Sequence, residues 1–134
     1  MTDHICEGAV FYFNGAGIKN HFHIIVNINA ATDTVLLFGV VTSHVAMRKQ
    51  DAADTDESPE TIVDLSPTQC PCLKHDSAVD CNEPFILKSV KLEQLIAAQK
   101  VTFKCTVSHE ITSKIRKGIM ISKNASMEAK GLLD

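Results

Sequence analysis

Thr34-Val35-Leu36-Leu37-Phe38-Gly39-Val40-Val41, cut off abruptly by Thr42-Ser43-His44, is the stretch that decides the fold. It carries no charge and is short for a buried helix, whereas a strand covered on both faces reads as just such an apolar run. Working outward, residues 21–29 (His-Phe-His-Ile-Ile-Val-Asn-Ile-Asn) alternate with period two. Successive strand side chains point to opposite faces, so Phe22, Ile24, Val26 and Ile28 share one face and His21, His23, Ile25, Asn27 and Asn29 the other. Residues 9–13 read as an apolar, aromatic strand and 14–17 as a turn. Two more short strands are expected at 61–65 and 78–81.

The C-terminal third changes period. Ser89 is expected to cap a short helix carrying Leu92, Leu95 and Ile96, and residues 101–107 alternate as a half-exposed strand does. Ser108 then opens a second helix, with Glu110 favoured in its first turn. Ile111, Ile115 and Ile119 form its inner stripe and Lys114, Arg116 and Lys117 its outside. Residues 124–133 are expected to add a helical turn. Strands first and helices last predict an α+β domain with a strongly bent sheet or small barrel capped by helices.

The 134 residues allow one domain with one core, and 45% apolar against 22% charged residues is the balance of a globular chain. Thirteen Lys and Arg against sixteen Asp and Glu give a net charge of −3, so no overall basic field draws in a polyanion. The acid is concentrated in residues 48–60, which are expected to be an exposed, mobile loop following closely on the strand end at Thr42. No run approaches the ~18 apolar residues needed to span a bilayer, and the N-terminal residues have no leader pattern, so a cytoplasmic protein without a membrane partner is expected. Five cysteines in that setting predict reduced thiols.

The order of these segments resembles the PemK/MazF family of toxin ribonucleases over about residues 8 to 122. Gly8 stands where that family's first strand opens, and Ile24-Ile-Val-Asn27 is similar to the family's aliphatic strand. Gly39-Val-Val-Thr-Ser43 resembles a strand end that carries an active-site Thr or Ser, and Asp76-Ser-Ala-Val-Asp-Cys-Asn82 resembles the strand leading to further RNA-contacting side chains. The resemblance implies a small SH3-like β-barrel of the PemK/MazF/CcdB type with C-terminal helices, formed by residues 1–134 as one domain. It also implies homodimerisation, cleavage of single-stranded RNA without a metal or other cofactor, and neutralisation by a cognate antitoxin. The family's arginine before the aliphatic strand is absent, with His21 or His23 nearest its place; the basic residue beside the Cys-Asp pair is Asp80, and the acid of that pair is Asn82.

Cleavage of RNA by its own 2′-hydroxyl needs a base, an acid for the leaving 5′-oxygen, and donors for the charge on phosphorus. His21 and His23 are the candidate acid–base pair, because histidine titrates near neutrality. Thr42 and Ser43 are the candidate phosphate donors, with Lys19, Asn82 and Lys88 as RNA-binding residues. The competing readings are structural: histidines on the solvent side of a strand, and hydroxyls that satisfy the backbone where the strand turns. A zinc site of Cys70, Cys72, His75 and Cys81 is the metal alternative, since three thiolates and an imidazole suit a tetrahedral ion. A Cys–His hydrolase using Cys81 or Cys105 has no local motif in its support. Outside catalysis, the alternative is a binding module of the same fold that has lost its active-site arginines.

Overall fold

The computed structural model describes residues 4–14 and 21–133. Its strands are β1 (Ala9–Phe13), β2 (Phe22–Ile25), β3 (Val35–Thr42), β4 (Ile62–Leu65), β5 (Ser77–Asp80), β6 (Phe85–Lys88) and β7 (Val101–Thr106), and its helices α1 (Val45–Asp54), α2 (Ser89–Ala97), α3 (His109–Ile121) and α4 (Met127–Gly131). All strand pairs are antiparallel, in the order β4-β5-β3-β2-β1-β7.

β3 organises the sheet as its apolar run predicts. One edge pairs with β2, with His23 opposite Val40 and Ile25 opposite Phe38. The other edge is divided: β6 pairs with Val35 to Phe38, and β5 with Val41 and Thr42. The period-two pattern sorts side chains to two cores. Val10, Ile24, Leu37 and Val41 meet Ile111, Ile115 and Ile119 of α3, while Phe11, Ile25, Leu36 and Phe38 meet Leu92 and Leu95 of α2. Each such large side chain taken fully out of water contributes ~1.5 to 3 kcal/mol. Gly39 lets the layers close: a Cβ there would lie 2.7 Å from Val79 Cγ1 and 3.1 Å from Ile115 Cγ2.

Several expectations are corrected. The sheet is open, not a closed barrel, for β4 and β7 end the order without pairing to each other among the described residues. Helices cover both faces, so burial of the apolar faces does not require closure. Residues 48–60 are not a loop throughout. α1 runs to Asp54, its Ala52 buried against Ile62 and Ala78, and a 3₁₀ turn follows at Pro59–Thr61. Alanine is the strongest helix former, and Lys49 Nζ anchors the helix 3.1 Å from Asp64 Oδ1 of β4. The acid there is also engaged: Glu57 is buried and accepts the backbone N–H groups of Lys123 and Asn124, while Asp56 and Glu60 pair with Lys123 and Lys117.

The third correction is β6, a strand at Phe85–Lys88 where the sequence pattern places none. The fourth is Arg116, which is not on the outside of α3 but tucked in, donating to Glu7 and to the Val26 carbonyl at 2.8 and 2.9 Å. Ser89 is the first residue of α2 rather than its cap, which is Lys88. Ser108 caps α3 as expected, accepting from the Ile111 N–H at 3.3 Å. Among the described residues no helix is long and apolar enough to cross a membrane.

Candidate active site

Because β5 and β6 share one edge of β3, they diverge around Val40, and a cavity of about 360 Å³ opens at the fork. Val40, Val41 and Thr42 of β3 line it together with His21, His23, Arg48, Asp80, Glu83, Pro84 and Phe85. Its charged centre joins segments far apart in sequence. From the first turn of α1, Arg48 Nη1 donates to Asp80 Oδ2 at 3.2 Å and to Glu83 Oε2 at 2.9 Å. Arg48 Nε is buried with no hydrogen-bond partner among the described residues. An unsatisfied buried donor is costly.

Asp80 ends β5 with its side chain largely buried, and its Oδ1 accepts the Asn82 backbone N–H at 3.0 Å. Burial pushes its carboxyl above the usual aspartate value, against the Asn82 N–H and the Arg48 charge, which pull the other way. The group can therefore take up a proton more readily than an exposed carboxylate. Glu83 is the exposed member of the triad.

His23 lies on β2 beneath the cavity, only 2% exposed, against the rings of Phe13, Phe85 and Phe38. Burial pushes its pKa down to about 4, only partly opposed by the hydrogen bond of Nδ1 to the His21 carbonyl at 3.0 Å. It is a neutral imidazole at pH 7. The histidine face of β2 is thus not a solvent face, since Ile25 on the same side is also buried. His21, just before the strand, is half-buried at the cavity wall.

Of the residues expected at the site, His21, His23 and Thr42 come together. Thr42 Oγ1 also accepts the His44 N–H at 3.1 Å, so the hydroxyl holds the turn out of β3 as well. Ser43 lines an adjoining cavity with His21, His75 and Cys72. Asn82 faces away, donating to Thr61 Oγ1 at 3.0 Å and accepting from Ser122 Oγ. Lys88 sits at the β6–α2 junction opposite Val35, and Lys19 lies outside the described residues. The cavity's charged residues Arg48, Asp80 and Glu83 carry no site expectation from the sequence. Arg48 was hidden in a segment read as solvated loop, and only its place beside Met47 and Val45 at the segment's helical start gave any signal.

The expected zinc set does not assemble: no three of Cys70, Cys72, His75 and Cys81 bring their ligand atoms within 4.8 Å of one another. Cys81 is buried with Sγ 3.5 Å from the Ile115 carbonyl, its thiol pushed up by burial. Cys70 and Cys72 meet Cys105 of β7 instead. Against known proteins, the chain matches no family model and no curated sequence.

Proposed function

We propose that the chain is a PemK/MazF-like toxin, an endoribonuclease that cleaves single-stranded RNA by transesterification, with the fork cavity as its active site. The observation that carries this reading is the convergence of Arg48, Asp80, His21 and Thr42 in one cavity. An arginine supplies the cation that the histidine strand lacks, from α1 rather than from β2.

In this reading the RNA phosphate enters beside Arg48 and displaces the exposed Glu83 from the guanidinium. Asp80 takes the proton of the 2′-hydroxyl as that oxygen attacks phosphorus, and His21 gives a proton to the departing 5′-oxygen. Arg48 and the Thr42 hydroxyl donate to the phosphorane oxygens, which carry the developing charge. A 2′,3′-cyclic phosphate and a 5′-hydroxyl result. Buried beneath them, His23 positions the wall and does not titrate near neutrality. The SH3-like relationship, dimerisation, a cytoplasmic setting and neutralisation by an antitoxin belong to the same reading.

A second reading keeps the fold and drops the chemistry. Two carboxylates stand on one guanidinium, so the fixed charge of the Arg48-Asp80-Glu83 triad is negative and suits a cationic segment of a protein partner. Induced expression with growth and RNA integrity followed together separates the two. Growth arrest with fragmented RNA is the expected result; normal growth with intact RNA rejects the toxin reading and leaves the binding module.

A further inference from the structure

Three thiols meet at one point between the β4–β5 connection and β7. Cys70 Sγ lies 3.4 Å from Cys72 Sγ and 3.6 Å from Cys105 Sγ, and Cys72 and Cys105 stand 3.3 Å apart. All are free thiols. Cys70 and Cys72 come from the turn after β4 and Cys105 from a strand more than thirty residues on, so the sheet and not the local sequence builds the triangle. Cys70 is buried in the α3-side core, and Cys72 and Cys105 are half-buried at its margin.

We propose that Cys70, Cys72 and Cys105 form a binding site for one thiophilic d¹⁰ cation, zinc by its chemistry. A tetrahedral ion with metal–sulfur bonds of about 2.3 Å holds its thiolates ~3.8 Å apart, so the triangle needs to open by only a few tenths of an ångström. A disulfide draws two sulfurs to about 2.05 Å, and with three nearly equidistant thiols any pairing strands the third. Carboxylate and imidazole ligands are absent from the triangle, which selects against magnesium and calcium. Cys72 also lines a cavity with Tyr12, His21 and His75, and a tetrahedral ion held by three thiolates takes water as its fourth ligand. Binding replaces three S–H bonds with three S–Zn bonds and releases three protons to solvent. The ion would pin the Cys70–Cys72 turn to β7. It stands outside the proposed RNA chemistry and has its own readout.

The test is titration of the reduced, full-length protein with Co²⁺ alone, then with Zn²⁺. The expected result is a thiolate-to-cobalt charge-transfer band with intense tetrahedral visible bands, saturating at one equivalent and bleached by Zn²⁺. Cys105→Ser should lose the charge-transfer intensity from its share of the ligands and weaken binding at least tenfold, whereas Cys6→Ser keeps both, and one equivalent of Zn²⁺ should raise the melting temperature of the parent protein. No charge-transfer band in the parent overturns the site whatever the variants do. So does a band unchanged in Cys105→Ser, or loss of two hydrogens to a Cys72–Cys105 disulfide with no metal uptake under the same reducing conditions.

Discussion

Arg48 Nη1 and Asp80 Oδ2 stand 3.2 Å apart, tying the first turn of α1 to the last residue of β5. The pair fixes a helix that covers the sheet edge, and it places a guanidinium beside a carboxyl that burial has already raised. Fold and proposed chemistry therefore depend on the same contact.

Arg48→Ala should destabilise the protein by about 1 to 3 kcal/mol at pH 7, because a largely buried carboxylate loses its countercharge. The loss depends on pH with a definite sign. A carboxyl raised in the folded state is most compatible with folding when protonated, and that contribution is lost as pH rises through its folded value. The difference from the parent should hence shrink toward pH 4. Denaturant midpoints of both proteins at pH 7 and pH 4 check this, and an equal difference at both values would contradict it.

His23 acts in the opposite direction. Its folded pKa of about 4 lies below the ordinary 6.5, so the unfolded chain binds the proton first, and stability present above pH 6.5 drains away as pH falls toward 4. The full effect is roughly 3 kcal/mol. His23→Phe, which keeps an aromatic ring among Phe13, Phe38 and Phe85, should remove most of this slope. Melting temperatures between pH 7 and 4.5 supply the comparison.

Gly118 brings α3 close to the segment after β5 and the 3₁₀ turn before β4: a Cβ there would lie 2.6 Å from Cys81 Sγ and 2.9 Å from the Glu60 carbonyl oxygen. The backbone oxygen has little room to retreat, so Gly118→Ala should cost about 1 to 3 kcal/mol despite alanine's better helix propensity. A neutral or stabilising result in urea unfolding would show that the layers are looser than they stand here.

The strands that could be read from the sequence are those whose pattern is set by burial alone. β3 was legible because both its faces are covered, and α3 because Ile111, Ile115 and Ile119 repeat at the helical period. α1 was not, since its helix is held less by an apolar stripe than by Ala52 in a small cluster and by Arg48 and Lys49 reaching partners in β4 and β5 and the turn after β5. β6 escaped notice because its pairing depends on the first half of β3 being free at that edge, a property of topology. The site follows the same division. His21, His23 and Thr42 belong to neighbouring strands whose register the pattern implies, but Arg48, Asp80 and Glu83 meet only after α1 has docked. The Cys105 partner of Cys70 and Cys72 was invisible for the same reason.

The most direct test of the central reading is incubation of purified protein with a single-stranded RNA oligonucleotide without added metal, with both product ends identified. The account predicts fragments ending in 2′,3′-cyclic phosphate and 5′-hydroxyl, with cleavage lowered ~10²- to 10⁴-fold in Asp80→Asn and His21→Ala proteins that remain folded. Intact RNA with the parent protein, or cleavage undiminished in both variants, would contradict it.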